Sequence, residues 1–381
     1  MKDFAPTRHA VHVLPEGALE ERLRLGRPLR VKLGIDPTSP DVHLGFAVVL
    51  DRLREWQDAG HTVVLIVGDY TARIGDPSGR SAERPVLADD ELDANATLFR
   101  EQVVRVLDPE RTEFRFNGEW LAPLTFAETV RLTRTLTVAR LLERDDFAKR
   151  FDGGEPISLS ELLYPPMQAY DSVAIEADVE IGGTDQLYNL LAGRDVMPHY
   201  GLEPQIVVTY PLLVGLDGVE KMSKSRGNYI GIDEPPEEMF GKTMSIPDEA
   251  LPQWWDLVVG GGKHPADPLE WKLALARRIT ARWHGDAGAK VGEEYFTRVV
   301  RRHEAPEEVE EVPLDGADPV HLPAFLAATL GESTSHWRRT IDQGGVKLDG
   351  EVLSGYDHRR AELEGRVLQA GKRRFLRLVS V

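Results

Sequence analysis

The amino-acid sequence predicts an α/β fold whose first domain is a Rossmann-like, doubly wound parallel sheet. The run "LRVKLGID" at residues 29–36 alternates as a strand does, and "TVVLIV" at residues 62–67 is a continuous apolar run of the kind that parallel sheets bury. A helical pattern separates the two runs, and strand, helix and strand in succession form a βαβ unit. "ADVEIGGTDQLYNLLAGRDV" repeats the order of strand, double-glycine turn and helix. These observations together favour a doubly wound sheet.

The remaining elements of this domain follow in chain order. The helical segment after residue 43 has apolar side chains at helical spacing and Gly60 as its stop. Those apolar residues are Phe46, Val49, Leu50, Leu53 and Trp56. A loop rich in Gly, Asp and Pro occupies residues 68–80, and helical patterns cover residues 89–106 and 126–151. "PQIVVTYPLLVGL" predicts one or two further strands, and the domain is expected to end near Gly231.

The second half of the chain has a different pattern. Residues 235 to about 310 read as helices with no strand between them, and residues 305–319 are acidic, contain Pro and lack periodicity, which predicts a linker. Two short helical patterns and then strands complete the chain. We therefore predict three domains: residues 1–231, a helical domain with its linker at 232–318, and a small α+β domain at 319–381.

Composition limits the function classes. Of the 381 residues, 41% are hydrophobic and 29% charged, as in globular proteins, and no apolar run is long enough to span a bilayer. The sequence has no cysteine, which excludes disulfides, thiolate catalysis and thiolate zinc sites. The N-terminus lacks a basic-then-apolar signal pattern. We expect a cytoplasmic protein.

Charge is distributed unevenly. The net charge of −17 argues against indiscriminate nucleic-acid binding, which needs surplus Lys and Arg. From residue 331 to the end, however, ten Lys and Arg residues stand against seven Asp and Glu. This local excess indicates either a docking patch for an anionic partner or an ordinary solvated surface.

The first βα turn carries the first candidate site. In "GIDPTSPDVHLGF" (residues 34–46), His43 falls where loop becomes helix, so its imidazole and the free helix N–H groups face the crevice at the strand ends. Such a crevice suits a phosphate, and Thr38 can add a hydroxyl. Gly45 lets a flat ring approach the helix backbone. Taken alone, these residues also fit a capping histidine and a packing glycine.

The second candidate site is "KMSKS" at residues 221–225. "HLGF" after the first strand and "KMSKS" after the last resemble the paired HIGH and KMSKS motifs of class I aminoacyl-tRNA synthetases, in the same order and on the same elements. The resemblance implies adenylate formation from an amino acid and ATP. The departing pyrophosphate accumulates negative charge, which Lys221 and Lys224 would stabilise, and Ser223 and Ser225 can add hydrogen bonds.

A third stretch, "YPPMQAYD" at residues 164–171, resembles the substrate segment of tyrosyl-tRNA synthetases, and "IGDPSG" and "IGGTDQ" match further family segments. The resemblance implies that Tyr164 and Gln168 hold the substrate's α-amino group and that Asp171 accepts from its phenol. The implied tyrosine contacts are Gly34, Asp36, Thr71, Asp76, Tyr164, Gln168, Asp171 and Gln186. The implied ATP contacts are Gly45, Gly183, Asp185, Lys224 and Ser225, and the implied catalytic residues are His43, Thr38, Lys221 and Lys224.

The end of the chain resembles a small RNA-binding module that terminates bacterial tyrosyl-tRNA synthetases. The match is "IDQGGVKLDGEVL", and it implies that Arg338, Arg339 and Lys347 contact tRNA phosphate. The helical segment before it would be the anticodon-binding domain. The implied partners are tRNA(Tyr), ATP and L-tyrosine, with a homodimer formed near residues 127–163 and no membrane or DNA. Mg²⁺ would accompany ATP, with no protein metal cage and no tightly bound organic cofactor.

Two positions depart from the family pattern. Phe46 replaces the second histidine of HIGH, and Lys32 stands where much of the family has a tyrosine that contacts the substrate phenol. The resemblance implies a tyrosine–tRNA ligase, which forms aminoacyl-tRNA while converting ATP to AMP and diphosphate. Because of Phe46, a second interpretation stays open: a synthetase that has lost catalysis and is kept as an RNA-binding protein. A tryptophan ligase is a third reading, disfavoured because Asp171 suits a phenol better than an indole.

Overall fold

The computed structural model describes residues 4–37, 41–76, 88–301, 309–314, 318–371 and 374–380. The chain forms two compact units, one of Met1–Glu234 with Ser245–Trp271 and the other of Pro235–Met244 with Lys272–Val381. Within the described ranges, no helix has both the length and the hydropathy that crossing a membrane requires. The three-domain division remains a prediction.

A six-stranded sheet organises the first unit. Its strands are β1 His12–Leu14, β2 Arg30–Ile35, β3 Thr62–Val67, β4 Thr112–Phe116, β5 Val179–Gly183 and β6 Ile206–Tyr210. Their order is β1-β6-β5-β2-β3-β4; β2 to β6 pair in parallel, and β1 lies antiparallel to β6. From β2 the chain winds first towards β4 and later, through β5, towards β6. The predicted doubly wound sheet is confirmed, and its strand order reverses between β2 and β5, where such folds bind ligands.

Helices cover this sheet. In chain order they are α1 Ala18–Leu23, α2 Leu44–Asp58, α3 Asp89–Val103, α4 Gly118–Leu121, α5 Phe126–Thr133, α6 Val138–Leu141, α7 Asp145–Asp152, α8 Leu159–Ala174 and α9 Leu187–Val196. The helical pattern predicted over residues 126–151 is therefore broken into three short helices. Thr125 and Thr137 cap two of them by accepting backbone N–H bonds, which starts a new helix each time.

Among its described residues, the second unit contains helices, a five-stranded sheet and a two-stranded sheet. After α10 Pro236–Met244 come α11 Leu251–Val258, which belongs to the first unit, and α12 Pro268–Tyr295, whose Gly285 has a non-helical φ of 71°. The later helices are α13 Leu322–Leu330, α14 Thr334–Asp342 and α15 Arg360–Leu363. The strands are β7 Glu310–Pro313, β8 Val320–His321, β9 Val346–Leu348, β10 Glu351–Val352, β11 Asp357–His358, β12 Val367–Ala370 and β13 Arg374–Val379.

One sequence prediction is wrong in this unit. Residues 305–319 were expected to form a linker, yet Glu310–Pro313 is β7, paired in parallel with β13 at the edge of the sheet β10-β9-β12-β13-β7. The strand is missed because it is acidic and mostly exposed, so it lacks the alternation that marks a half-buried strand. The apolar core of this sheet packs around buried Leu322, Leu326 and Trp337.

Candidate active site

His43 lies at the N-terminus of α2, facing the carboxyl ends of the central strands. It occupies the N-cap position, but in the described structure its side chain makes no capping hydrogen bond. Only 7% of the residue is exposed, and Nδ1 is buried with no hydrogen-bond partner among the described residues. Burial lowers the pKa of the His43 imidazole to about 3, and the positive charges of Lys224 and Lys221 add to this shift. The ring is therefore neutral at physiological pH and has an unused polar atom.

The KMSKS loop, defined as residues 221–228, lies across the start of α2. The Gly45 N–H points to Met222 Sδ at 3.3 Å, and Leu44 N donates to Ile230 O at 3.0 Å. A Cβ on Gly45 would lie 3.0 Å from two atoms of the His43 ring and 3.6 Å from Met222 Cβ. Gly45 thus leaves room for the imidazole and the KMSKS loop to come together at the helix N-terminus.

Both lysines of the KMSKS loop form ion pairs near this helix. Lys224 Nζ lies 3.1 Å from Asp41 Oδ2, two residues before His43, and Lys221 Nζ lies 2.6 Å from Asp185 Oδ2. Burial lowers the pKa of Lys224, and Asp41 opposes the shift. Both ammonium groups lie near enough to the His43 imidazole for their charges to lower its pKa. Ser223 Oγ and Ser225 Oγ hydrogen-bond to each other at 2.9 Å. Thr38 lies outside the described residues.

Phe46 packs against the imidazole. The two rings have centroids 4.6 Å apart at an angle of 33°, and Phe99 meets Phe46 edge-on at 6.3 Å. This ring packing favours one orientation of the imidazole.

A second set of polar side chains lies beside α8, and we call it the α8 cluster: Asp36, Thr71, Asn117, Tyr164 and Asp171. Asp36 follows β2 directly and accepts from Thr71 Oγ1 at 2.8 Å and from the Tyr164 hydroxyl at 3.0 Å. Asn117 Nδ2 donates to Thr71 Oγ1 at 3.0 Å. A Cβ on Gly68 would lie 2.1 Å from Asp36 Oδ1, so only glycine leaves room for this arrangement.

Asp171 is the acidic residue of the α8 cluster on α8 itself, and 3% of its surface is exposed. Its oxygens accept from Trp120 Nε1 at 2.8 Å and Asn117 Nδ2 at 3.4 Å. Burial raises the pKa of Asp171 to about 7, while the positive charge of Lys32 and the hydrogen bonds from Trp120 and Asn117 work in the opposite direction. The carboxyl group is held in a fixed orientation in a poorly solvated place.

Open space adjoins these groups. A Cβ built on Gly34 would meet no atom of the described residues within 4 Å. Lys32 and Gly34 share one face of β2 because side chains alternate along a strand, and Asp36 follows the strand directly. Lys32 and Asp36 both hydrogen-bond to α8, at the Gln168 carbonyl and the Tyr164 hydroxyl. The space at Gly34 therefore lies between two contacts to α8.

Asp76 and Gln186 belong to a third group of polar side chains. Gln186 Nε2 donates to Asp76 Oδ2 at 2.8 Å, and Asn189 Nδ2 donates to Gln186 Oε1 at 2.9 Å. Arg144 Nη2 lies 3.5 Å from Asp76 Oδ1, and Arg144 Nη1 donates to Asn189 Oδ1 at 3.1 Å. The side chain of this arginine is 6% exposed.

Gly183 adjoins the carboxylate that pairs with the KMSKS loop. A Cβ there would lie 2.6 Å from Leu212 Cδ2 and 2.7 Å from Asp185 Oδ1. A larger residue would therefore displace Asp185, the partner of Lys221.

Four polar side chains at these sites were not predicted: Asn117, Trp120, Arg144 and Asn189. Asn117 and Trp120 follow β4 in "NGEW", so a polar and an aromatic side chain at the end of a parallel strand was the available signal. Arg144 and Asn189 gave no such signal, since Arg144 stands among other charged residues before α7 and Asn189 is a single amide within α9.

The three residues predicted to bind RNA lie in the second unit. Arg338 and Arg339 are exposed on α14, and Lys347 is half-buried on β9. The Arg338 guanidinium lies 5.6 Å from the centre of the Tyr356 ring. Their role in RNA binding remains a prediction.

Comparison with known proteins defines the class. A family model described as "tRNA synthetases class I (W and Y)" matches residues 24–304, well over half of the chain. The chain belongs to this family, and the predicted resemblance is confirmed.

Curated relatives narrow the assignment within the family. A protein of Moorella thermoacetica is 49% identical over 97% of this chain and 94% of its own length, and one of Thermotoga maritima is 49% identical over 97% and 95%. Both are named Tyrosine--tRNA ligase. Within the class I family, the chain therefore belongs with the tyrosine--tRNA ligases.

Solved structures agree on the fold. A C-terminally truncated mitochondrial tyrosyl-tRNA synthetase of Aspergillus nidulans aligns with a TM-score of 0.63 and 22% identity, over 76% of this chain and 91% of that one. The tyrosyl-tRNA synthetase of Archaeoglobus fulgidus aligns with a TM-score of 0.58 and 22% identity, over 74% and 97%. At this identity the likeness supports the architecture alone.

Proposed function

We propose that the chain activates L-tyrosine with ATP to form tyrosyl-adenylate and then transfers the tyrosyl group to the 3′-end of tRNA(Tyr). The observation that carries the proposal is that a neutral, buried His43 lies close enough to Lys221 and Lys224 for both charges to act on it. The names of the relatives favour tyrosine over tryptophan. The intact cationic groups also argue against a retired enzyme.

The α8 cluster is the proposed tyrosine pocket. The substrate ring would occupy the open space at Gly34, with its phenol hydroxyl donating to Asp171. Tyr164, Gln168 and Asp76 would hold the α-ammonium group. Gln168 Oε1 is buried without a hydrogen-bond partner among the described residues, so it has an acceptor to offer. A substrate without the hydroxyl would leave the buried Asp171 carboxylate short of a partner, which costs binding energy.

Adenylate formation joins a tyrosine carboxylate oxygen to the α-phosphorus of ATP and breaks the bond from that phosphorus to the bridging oxygen. The electron pair leaves with the diphosphate, whose charge Lys221 and Lys224 balance. Neutral His43 would donate a hydrogen bond to a phosphate oxygen at the helix N-terminus. Gly45, Gly183, Asp185 and Ser225 would line the nucleotide site. This catalysis works by positioning and charge stabilisation, without a covalent enzyme intermediate.

We propose that Mg²⁺ enters with ATP. Its phosphates would hold the ion, since Mg²⁺ in such sites keeps several waters and takes its other ligands from phosphate. Within the described residues there is no group of three or more His, Asp or Glu side chains arranged for a metal ion. Because the reaction draws on tRNA and on cellular ATP, we also propose a cytoplasmic location.

We further propose a homodimer formed through residues 127–163 and their neighbours. This segment exposes large apolar side chains that a monomer would leave in water: Phe126, Val138, Phe151 and Leu159. Leu159, for example, is 81% exposed. Exposed apolar side chains concentrated in one segment favour an interaction surface there. The tail residues Arg338, Arg339 and Lys347 would bind tRNA phosphate.

Tyrosine-dependent exchange of labelled pyrophosphate into ATP tests the proposal. The chain should exchange with tyrosine and then charge tRNA(Tyr). Binding of tRNA without exchange would support a retired synthetase instead. Exchange that depends on tryptophan would reassign the substrate.

A further inference from the structure

A lysine and a glutamate are buried together in the centre of the sheet. Lys32 on β2 is 0% exposed and Glu180 on β5 is 1% exposed. They are cross-strand partners in the parallel register, with Nζ 2.9 Å from Oε1. The pair therefore occupies the point where the strand order reverses. An apolar pair of similar volume is often as stable as a buried ion pair, so stability alone does not account for it.

The other two contacts of the Lys32 ammonium group both reach α8. Nζ donates to Ser172 Oγ at 2.8 Å and to the carbonyl oxygen of Gln168 at 3.1 Å. Ser172 Oγ in turn donates to Glu180 Oε2 at 3.3 Å, and Gln205 Nε2 donates to the same carboxylate oxygen. An ammonium group has three hydrogens, and here it has three acceptors. Lys32 therefore has no donor left for a substrate phenol.

Lys32 and Glu180 nevertheless influence the pKa of Asp171, the proposed acceptor of the substrate phenol. Ser172 is the neighbour of Asp171 in α8, and Gln168 precedes it by almost one helical turn. Asp171 is faced by charged and polar groups from several elements. They are Lys32 on β2, Glu180 on β5, Trp120 on α4, Asn117 at the start of α4, and Tyr164 on α8. Burial raises the pKa of Asp171; the positive charge of Lys32 lowers it and the charge of Glu180 raises it.

We propose that Lys32 is a positioning residue for tyrosine recognition. Paired with Glu180, it ties α8 to the sheet at Gln168 and Ser172 and supplies the positive charge that balances the Asp171 carboxylate. The tyrosine hydroxyl then meets an ionised acceptor in a fixed place, although Lys32 itself contacts no substrate atom. This inference rests on the proposed function, since it assigns tyrosine to the pocket beside α8.

The test measures tyrosine affinity by equilibrium dialysis between pH 5 and 8, where the substrate's phenol stays protonated and neutral. In the unsubstituted protein, affinity should fall as the pH is lowered through about 7, because Asp171 takes up a proton. Lys32→Met should raise this midpoint by about one pH unit, and Glu180→Gln should lower it by a similar amount. Ser172→Ala is the matched control, since it removes a hydrogen bond but no charge, and its midpoint should not move.

Opposite shifts in the two charge variants support the proposal. Midpoints that stay together, or move in the same direction, overturn it, because a merely structural pair would weaken binding at every pH. If a single variant does not fold, the neutral pair Lys32→Met/Glu180→Gln takes its place. In that double variant the tyrosine KM for pyrophosphate exchange should rise about tenfold with kcat nearly unchanged, and an unchanged KM overturns the proposal.

A failure of the proposed function can be distinguished from a failure of the role of Lys32. If the unsubstituted protein shows no tyrosine-dependent exchange, the assignment of the pocket itself is wrong. If exchange is normal and only the pH midpoints fail to separate, the role of Lys32 is wrong and the proposed function stands.

Discussion

The α8 cluster and the KMSKS loop hold their charged groups in opposite ways. In the α8 cluster, Asp171 is buried and hydrogen-bonds to Trp120 and Asn117, which lie in and just before a helix packed beside it. In the KMSKS loop, Lys221 and Lys224 pair with carboxylates that keep a quarter to a half of their side-chain surface in water. Partly exposed pairs of this kind are weak, so little free energy is lost when a lysine leaves its carboxylate.

This difference corresponds to two tasks. A pocket that must distinguish one amino acid from another benefits from donors and acceptors that do not reorganise. A loop that must bring charge to a departing diphosphate benefits from partners it can leave, because its charges matter most in the transition state. We therefore call Asp41 and Asp185 the resting partners of the two lysines: they pair with the ammonium groups until bound ATP replaces them.

The largest expected effect comes from a substitution in the KMSKS loop. Lys224→Ala should slow tyrosyl-adenylate formation about 10³-fold, because it removes a charge that acts on the transition state. Tyrosine affinity should stay nearly constant, since the α8 cluster does not depend on the loop. Stopped-flow measurement of adenylate formation and equilibrium dialysis of tyrosine check both values.

Arg226→Ala is the matched control for this prediction. Arg226 is an exposed cation of the same loop, paired with Glu220. It should change the rate less than about threefold. Equal losses of rate and tyrosine affinity in Lys224→Ala would contradict the separation of tasks.

The next largest effect comes from a substitution in the α8 cluster. Asp171→Asn should lower kcat/KM for tyrosine about 10²-fold, because the buried acceptor then meets the phenol hydroxyl without charge. Phenylalanine, which has no hydroxyl, should lose little. Exchange assays with both amino acids measure the ratio, and an unchanged ratio would show that Asp171 is not the phenol acceptor.

A smaller effect sharpens the assignment of the ammonium site. Tyr164→Phe removes the hydroxyl that donates to Asp36 at 3.0 Å. The KM for tyrosine should rise about tenfold while kcat changes little, since one hydrogen bond of ground-state binding is lost. Tyramine, which keeps the ammonium group, can serve as a competitive ligand. If Tyr164→Phe binds tyramine as tightly as the unsubstituted protein does, Tyr164 does not contact the ammonium group.

The smallest effect tests the resting partners. Asp41→Asn removes the carboxylate 3.1 Å from Lys224 Nζ, so the ammonium group no longer has to leave a partner. The KM for ATP should fall about threefold, the size expected of a partly exposed ion pair. Asp58→Asn, at an exposed pair with Arg54 on the far end of α2, is the control and should leave KM unchanged. A rise in KM for Asp41→Asn would mean that Asp41 helps to bind ATP.

Much of the fold could be predicted because its signals are local. The run at residues 62–67 is β3 to the residue, and the strand at 29–36 is Arg30–Ile35, since continuous or alternating apolar runs are read directly. The strand β7 could not be read in this way. Its pairing with β13 involves residues more than sixty positions away, and its side chains stay mostly in water.

The candidate site follows the same rule. His43, Lys221 and Lys224 lie in short motifs, so the sequence alone indicates them. Trp120 and Asn117 reach Asp171 across about fifty residues, and only the packing of α4 against α8 brings them together. The contacts of Lys32 depend in turn on the pairing of β2 with β5.

A double-mutant cycle on His43 and Lys224 tests the central claim most directly. The rate of tyrosyl-adenylate formation is measured in the unsubstituted protein, His43→Ala, Lys224→Ala and the double variant. If imidazole and ammonium act on the same departing diphosphate, the double variant should be at least about fivefold faster than the product of the single effects predicts, a coupling near 1 kcal/mol. Effects that multiply without coupling would contradict a shared site.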